Sequence, residues 1–202
     1  MLLYLSPGAC SLSPHIVLFE AGVSFKTEKV VLSTHKTEHD ADYYGVNANG
    51  YVPLLELDDG RRLTEGPAIV QWIADQAPSK KLAPPNGTFE RAKLQEWLSF
   101  IGTELHKQFW ALFDKSATED NKQMQRGKIG KRLAYVEECL LEGAFLMGAD
   151  FTVADAYLFT VTRWARHLRI EAANAPKLRA WYDRVAARPK VKAALDAEGI
   201  RA

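Results

Sequence analysis

Cysteine is scarce in this chain of 202 residues, and its two cysteines, Cys10 and Cys139, stand far apart in the sequence. Two thiols supply neither a disulfide framework nor the four ligands of a structural zinc site. His35 and His39 share a predicted loop, but two ligands without a third do not make a metal site. We therefore expect no bound metal and a reducing compartment, the cytoplasm.

Neither sign of charge dominates, because 26 Lys and Arg residues face 25 Asp and Glu residues and the formal net charge is +1. Nucleic-acid-binding proteins usually show a basic excess, so we expect no nucleic-acid partner. No apolar run approaches the roughly 18 residues of a transmembrane helix, and the first ten residues do not resemble a secretory signal. We expect no membrane partner. Rossmann, P-loop and G-x-S-x-G fingerprints are also missing.

The sequence changes character near residue 78. Residues 1–78 alternate short apolar runs with turn residues, which predicts strands at 2–6 and 24–32, a hairpin, and helices at 10–21 and 67–76. Residues 79–87 form a predicted linker, and residues 88–202 predict helices at 88–113, 119–143, 152–168, 175–187 and 190–197. The predicted fold class is α/β plus all-α, with an N-terminal thioredoxin-like domain and a C-terminal helical bundle domain.

Cys10 lies where the first strand, the Pro7-Gly8 turn and the first predicted helix meet. A thiol at a helix N-terminus lies beside unpaired N–H groups at the positive end of the macrodipole, so we expect its thiolate to be favoured. Ser13 stands where a C-x-x-C oxidoreductase has its second cysteine, which excludes an intramolecular dithiol cycle. The helix end is predicted to stabilise a thiolate, from Cys10 or from a thiol substrate. A buried structural thiol is the alternative.

Three further segments carry groups that suit a thiol-containing peptide. A cis bond between Val52 and Pro53 would open the backbone of Val52 to an extended peptide, although an X-Pro bond considered alone is more often trans. Glu65 and Gly66 begin a helix whose free N–H groups suit a carboxylate, while Glu65 suits an ammonium; ordinary helix capping is the alternative. One face of the helix 88–113 mixes polar and aromatic side chains, as the wall of a cleft would: Ser99, Thr103, His106 and Trp110.

Two features are interpreted as structural. Thr152 and Asp155 have the spacing of a capping box at the start of an apolar helix, which makes them folding elements rather than a site. The basic residues of the segment 184–195 are predicted to lie on a solvated helix face.

Together these motifs resemble the bacterial beta-class glutathione transferases. The resemblance spans essentially the whole chain and rests on the segments SPGACSLSPHI, NGYVPLLELDDGRRLTEGPAIVQWIAD, TELHK, FTVADAYLFTVTRWA and RPKVKAALDAEG. It implies the glutathione transferase fold, with a glutathione-binding domain over 1–78, a linker over 79–87 and an all-helical domain over 88–202. It also implies a homodimer that conjugates the glutathione thiolate to small hydrophobic electrophiles in detoxification, with glutathione as co-substrate and no other cofactor.

The resemblance further implies roles for individual residues. The implied catalytic residues are Cys10, Ser11, His106 and Lys107. Glutathione is expected to contact Cys10, His35, Val52, Pro53, Glu65, Gly66, Ser99, Thr103, Glu104 and His106, with Glu104 serving the partner subunit. The electrophile is expected against an aromatic wall of Phe109, Trp110, Phe113 and Trp164.

The chain departs from the family pattern at Leu5, where relatives often have Tyr, at His35, often Lys, and at Ser99, often Asn. Three alternatives remain open at this stage. One is a glutaredoxin-like monothiol oxidoreductase that works through a mixed disulfide on Cys10. Another is a non-catalytic ligand-binding protein. The third is a reductive dehalogenase, in which Cys10 resolves the glutathione adduct.

Overall fold

A computed structural model describes residues 1–140, 144–170 and 174–202. These residues form two compact units, one of Met1–Ala83 with Arg188–Ala202 and one of Pro84–Ala187. The sequence-based division assigned residues 188–202 to the helical domain, whereas the structure places them in the first unit. No helix in the described part of the chain is long and apolar enough to cross a membrane.

The elements follow the predicted order. The strands β1–β5 span Leu2–Leu5, Lys26–Val31, Lys36–Thr37, Leu54–Glu56 and Arg62–Thr64. The helices α1–α8 span Leu12–Ala21, Gly66–Gln76, Phe89–Phe100, Trp110–Phe113, Glu119–Cys139, Val153–His167, Pro176–Ala187 and Pro189–Glu198. The helix predicted over 119–143 therefore ends at Cys139, and positions 141–143 lie outside the described residues.

The first unit is built on a mixed sheet with the strand order β3-β2-β1-β4-β5. Strands β1 and β2 are parallel, and the other neighbouring pairs are antiparallel. Leu3, Leu5, Leu54 and Leu55 of the central strands are buried in its core. The mixed sheet with its helices confirms the thioredoxin-like architecture that the sequence predicts.

Helix α1 is buried on nearly all sides because α2 and α8 both pack against it. It begins at Leu12 rather than at Cys10, so Pro14 lies in its first turn, where the missing N–H group costs little. Gly22 ends the helix in the left-handed conformation at φ 68°, and its N–H donates to the Leu18 carbonyl. Cys10 therefore belongs to the turn before the helix.

In the second unit, α6 is the buried central helix that the sequence predicts. Thr152 and Asp155 form its capping box, and Asp155 is fully buried. Around α6 lie α3, α5 and α7, each of which buries one face.

The prediction of a single helix over 88–113 is wrong. The α-helical spacing ends at Phe100, a π-helical turn spans Ile101–Leu105, and a 3-10 turn spans His106–Phe109 before α4 begins. Each change of helix type alters the angle between successive side chains. The predicted common face of Ser99, Thr103, His106 and Trp110 is therefore broken: His106 is half-buried while the other three are exposed.

Candidate functional site

Cys10 lies in the turn between β1 and α1, directly beside the segment that contains Val52. Its Sγ donates a hydrogen bond to the Val52 carbonyl oxygen at 3.1 Å. Gly8, at φ 75°, allows the turn that brings the chain from β1 to this position. A thiol and a peptide carbonyl thus meet where the central strand β1 ends and its neighbour β4 begins.

Burial raises the pKa of the Cys10 thiol to about 11. The N–H groups of Cys10 and Ser11 act in the opposite direction, and the charge of Glu65 adds to the rise. Removal of water from a thiolate outweighs two backbone donors here. The backbone N–H groups at the helix end thus act on the Cys10 thiol in the expected direction, but burial outweighs them and the thiol is neutral at pH 7.

The Ser11 side chain does not face the thiol. Its hydroxyl is fully buried, donates to the Ser6 carbonyl at 3.2 Å and accepts from the Ser6 N–H at 3.1 Å. The side chain therefore fixes the turn, and only the backbone N–H of Ser11 acts on Cys10. Of the two groups through which Ser11 could assist catalysis, the side chain and the N–H group, the side chain is therefore engaged with Ser6.

The peptide bond between Val52 and Pro53 is cis, which is the one of the two forms left open by the sequence that would expose the Val52 backbone. The preceding carbonyl, of Tyr51, accepts hydrogen bonds from the Tyr43 hydroxyl at 2.9 Å and from the Asn47 Nδ2 at 2.7 Å. Tyr43 is fully buried, so this backbone is held from the core. Neither Tyr43 nor Asn47 was among the predicted site residues, because nothing in the sequence links them to position 51.

Glu65 has an unusual backbone conformation, with φ 66° and ψ 110°, immediately before α2. A non-glycine residue at such angles carries strain, and strained residues concentrate at functional sites. The exposed carboxylate lies within electrostatic range of Cys10. Glu65, Gly66, Cys10 and Val52 are thus close enough to act on one ligand of the first unit.

His35 is fixed by its neighbours. Its ring packs on Tyr44 with centroids 4.6 Å apart, and its Nδ1 donates to the Gly50 carbonyl at 3.2 Å. Gly50 has φ 68°, and a Cβ there would lie 2.8 Å from both the His35 and the Tyr44 rings. Only a glycine fits at position 50 beside this histidine. The contacts with Tyr44 and Gly50 hold the His35 ring beside the loop that leads to Val52.

His106 pairs with Tyr157 inside the second unit. Its Nδ1 lies 2.6 Å from the Tyr157 hydroxyl, and its ring centroid is 5.0 Å from that of Trp164. Desolvation lowers the pKa of His106 to about 4, so the imidazole is neutral at pH 7. The sequence analysis treated Tyr157 only as part of an apolar helix. The one signal for its contact with His106 was a hydroxyl group within that apolar segment.

Three of the four residues predicted for the aromatic wall come together. Phe109 lies 5.4 Å from Trp164 and 6.2 Å from Phe113, and Phe113 lies 5.6 Å from Trp164, measured between ring centroids. Phe113 is 53% exposed whereas Phe109 and Trp164 are buried, so the cluster reaches solvent at Phe113. The structure does not bring the fourth residue, Trp110, into this cluster, and its side chain is 65% exposed.

The remaining predicted residues of the second unit make local contacts. The Thr103 hydroxyl donates to the Ser99 carbonyl at 3.0 Å. Glu104 accepts from the Arg132 Nε at 2.7 Å, so within one chain its carboxylate is already paired. Lys107 is exposed, and the described residues give its ammonium no ion pair.

Comparison with known proteins agrees with this geometry. Residues 8–76 match the family model of the glutathione S-transferase N-terminal domain, and residues 103–198 match that of the C-terminal domain. The chain is 44% identical over 201 residues to the glutathione S-transferase GstA of Escherichia coli O157:H7, with 100% of both chains covered.

Two solved structures are similar over nearly their whole length. One is the bacterial beta-class glutathione S-transferase of Sphingomonas chungbukensis, with a TM-score of 0.95, 45% identity and coverage of 99% of this chain and 100% of that one. The other is a sphingomonad glutathione S-transferase complexed with glutathione, with a TM-score of 0.94, 43% identity and coverage of 98% and 99%. The resemblance inferred from the sequence is confirmed, and the chain belongs to the glutathione S-transferase family.

Proposed function

We propose that this transferase conjugates the thiol of glutathione to small hydrophobic electrophiles, with Cys10 as a neutral hydrogen-bond donor to the glutathione sulfur. The contact between the Cys10 thiol and the Val52 carbonyl carries this proposal. The S–H group points at the Val52 carbonyl, and the proposal places the cysteinyl part of glutathione against the same backbone. A neutral donor is the form that a pKa of about 11 maintains at pH 7.

In the proposed complex, the Cys10 S–H turns from the Val52 carbonyl to the glutathione sulfur. Hydrogen bonds to the charged form of a group lower its pKa, and each unit is worth about 1.4 kcal/mol. The thiolate then attacks the electrophilic carbon, the new C–S bond forms, and a leaving group such as chloride departs with the electron pair of the broken bond. The thiol proton goes to solvent.

The first unit offers groups for the rest of the tripeptide. The Val52 backbone pairs with the cysteinyl residue, as extended peptides pair with a free strand edge. The Glu65 carboxylate suits the γ-glutamyl ammonium, and the N-terminus of α2 at Gly66 suits its carboxylate. The fixed ring of His35 is the candidate for the glycine carboxylate, in place of the lysine that relatives often have.

The second unit offers a surface for the electrophile. Phe109, Phe113 and Trp164 form an aromatic cluster on which a planar compound can stack. We propose that the Tyr157 hydroxyl donates to Nδ1 of His106, which keeps the proton of the neutral imidazole on Nε2 as a donor for the electrophile. The catalytic roles that the resemblance implies for His106 and Lys107 stay predictions.

The test compares conjugation of glutathione to chlorodinitrobenzene with reduction of hydroxyethyl disulfide, in the wild type and in the variants Cys10→Ala and Cys10→Ser. We expect the wild type to conjugate and Cys10→Ala to keep part of that activity, because glutathione remains bound. Cys10→Ser, which retains a donor, should keep more of it than Cys10→Ala. The matched control is Cys139→Ala, which should behave like the wild type.

A different pattern of the two activities would favour the monothiol oxidoreductase. Its signature is strong disulfide reduction that disappears completely in Cys10→Ala, together with no conjugation by the wild type. Glutathione binding without turnover of any electrophile would instead favour a ligand-binding protein.

The proposal also covers the oligomeric state and the cellular compartment. We propose a homodimer, supported by a partly exposed aromatic cluster of Trp97, Phe100 and Tyr135, whose ring centroids lie 5.2–6.3 Å apart. A mass of 22.6 kDa in sedimentation equilibrium, that of one chain, would contradict the homodimer.

We also propose the cytoplasm as the compartment, because both cysteines are free thiols.

A further inference from the structure

Two buried side chains of the first unit hold one peptide group, the one that joins Tyr51 to Val52. The Tyr51 carbonyl accepts from the Tyr43 hydroxyl at 2.9 Å and from the Asn47 Nδ2 at 2.7 Å. Tyr43 is fully buried and Asn47 is 8% exposed, whereas the Tyr51 side chain is 59% exposed. The carbonyl oxygen of an exposed residue is thus held from the core by two donors.

Each donor is fixed in its role by its own surroundings. Burial raises the pKa of Tyr43 to about 12, so the hydroxyl keeps the proton that it donates. Asn47 uses both ends of its amide, because Oδ1 accepts from the Asn49 N–H at 3.1 Å and Nδ2 donates to the Tyr51 carbonyl. Neither donor can turn away without leaving a buried polar group unpaired, which is costly.

The fixed carbonyl sets the direction of the N–H group at the other end of the same peptide. The bond between Tyr51 and Val52 is trans, and in a planar trans peptide the C=O and N–H groups point in opposite directions. Because the carbonyl faces the core, the Val52 N–H faces away from it. The Val52 side chain supports this orientation, since it packs in the same hydrophobic cluster as Tyr43.

In the part of the chain that the structure describes, no group accepts the Val52 N–H. The residue precedes β4, which begins at Leu54, so this N–H belongs to no strand ladder. Val52 is only 7% exposed, and unpaired N–H groups are rare on residues so deeply buried. The carbonyl of a peptide ligand is an acceptor that would satisfy it.

We propose that Tyr43 and Asn47 are positioning residues for glutathione, which aim the Val52 N–H at the carbonyl oxygen of the cysteinyl residue. This role rests on the proposed function, because it requires glutathione against the Val52 backbone. Without the two donors, the peptide between Tyr51 and Val52 is free to rotate, and its carbonyl then faces the ligand carbonyl. Binding loses a hydrogen bond and gains a repulsion, while the chemistry at sulfur is unchanged.

The test uses two ligands that differ only at this carbonyl. γ-Glutamylcysteinamide contains the cysteinyl carbonyl, and γ-glutamylcysteamine has a hydrogen atom in place of the whole carboxamide. Both keep the γ-glutamyl group and the thiol. Calorimetry on the full chain measures the Kd of each, and in the wild type the cysteinamide should bind about tenfold more tightly.

Two variants remove the donors with little change of shape. Tyr43→Phe should weaken binding of γ-glutamylcysteinamide about fivefold and leave that of γ-glutamylcysteamine unchanged. Asn47→Asp keeps the oxygen that accepts from Asn49 but turns the donor into an acceptor, so the same loss should reach about tenfold. In conjugation assays the KM for glutathione should rise in both variants with little change in kcat.

The matched control is Tyr4→Phe, which removes the hydroxyl of another buried tyrosine in the same hydrophobic cluster. That hydroxyl makes no hydrogen bond to the Tyr51 carbonyl, so both ligands should bind to this variant as they bind to the wild type. A lower Tm of any variant does not disturb the comparison, because the two ligands bind to the same folded protein.

Three results would overturn the role of Tyr43 and Asn47. They are equal affinity of the wild type for the two ligands, equal weakening of both ligands in the variants, and unchanged binding of γ-glutamylcysteinamide in both variants. Each can occur in a protein that binds and conjugates glutathione, so the proposed function would stand. If the wild type bound no glutathione at millimolar concentration, the proposed function would fail as well.

Discussion

The thiol of Cys10 shows how a single residue can be neutral at a position that sequence patterns associate with a thiolate. The backbone N–H groups of Cys10 and Ser11 lower the pKa of the thiol, but burial raises it by more, so the pKa is about 11. This neutral state is the basis of the proposal that Cys10 acts on the glutathione sulfur as a hydrogen-bond donor and not as a nucleophile. Leu5, where relatives often have Tyr, leaves this donor without a phenol from that position.

Alkylation by iodoacetamide measures this property directly. Below pH 11 the thiolate fraction of Cys10 should rise about tenfold per pH unit, so its alkylation rate should keep rising through pH 9 without a plateau. Peptide mass mapping separates Cys10 from Cys139 in the same sample. A rate that levels off below pH 8 would show that the helix end dominates after all.

His106 makes a second prediction at this scale, with the sign set by its lowered pKa. The unfolded chain binds a proton at His106 near pH 6.5, whereas the folded protein binds it only near pH 4. The stabilising contribution of the neutral ring is therefore complete above pH 6.5 and is lost as the pH falls from 6.5 to 4.

Urea unfolding of the wild type and of His106→Gln across this range isolates the effect. The difference in the free energy of unfolding between the two proteins should change with pH by at most about 1.4 kcal/mol per unit. The exposed His39 has a raised pKa because of its hydrogen bond to Glu28, so His39→Gln should not reproduce the slope. A difference that is constant over pH would contradict the burial of a neutral His106.

At the scale of elements, the cap of α6 joins three parts of the second unit. The buried Asp155 carboxylate accepts from the Thr152 N–H and hydroxyl, from the Leu146 N–H at 2.8 Å and from the Trp181 Nε1 at 2.8 Å. The capping box was predicted from two residues three positions apart in the segment FTVAD. The links to Leu146 and Trp181 make it a tertiary contact as well.

Asp155→Ala should therefore cost more than a local cap, which is worth about 1 kcal/mol. We expect a loss of about 3 kcal/mol or more in the free energy of unfolding, because the buried donors of Leu146 and Trp181 lose their acceptor. The measurement is a urea midpoint, with exposed Asp150→Ala as the control. Asp155→Asn, which keeps one acceptor oxygen, should fall between them, and a cost of only about 1 kcal/mol would limit the role of Asp155 to capping.

The segment 88–113 marks where sequence patterns stop predicting elements. Its apolar residues Leu94, Leu98, Ile101 and Leu105 are buried as the helical spacing predicts. The same spacing does not indicate the π turn at Ile101–Leu105. That turn ends directly before His106, which contacts Tyr157, 51 residues away. A period found in local sequence carries no information about so distant a partner, so the strands and most helices were predictable and this turn was not.

At the scale of the whole chain, the last helix supports the turn that carries Cys10. Glu198 is 5% exposed, and its Oε2 accepts from the Gly8 N–H at 2.7 Å while its Oε1 accepts from Nδ1 of His15 at 2.8 Å. Arg188 adds a bidentate ion pair with Glu20, at 2.7 and 2.9 Å. The sequence-based interpretation of this tail as a solvated basic face is wrong for Arg188, and Glu198 had no local signal at all.

Glu198→Ala should therefore affect both stability and the site. Two donors in the first unit lose their acceptor, so we expect a loss of about 3 kcal/mol in the free energy of unfolding. Because Gly8 lies two residues before Cys10, the KM for glutathione should rise more than kcat falls. Glu198→Gln, which retains one acceptor oxygen, should recover part of both effects.

The control for this prediction is Asp196→Ala, an exposed position on the same helix. It should leave both the urea midpoint and the KM for glutathione unchanged. If Glu198→Ala lowered stability without changing that KM, the last helix would serve only to complete the fold. A change in KM that Glu198→Gln reverses would show that the C-terminal helix positions the turn of Cys10, which makes residues at opposite ends of the sequence parts of one binding site.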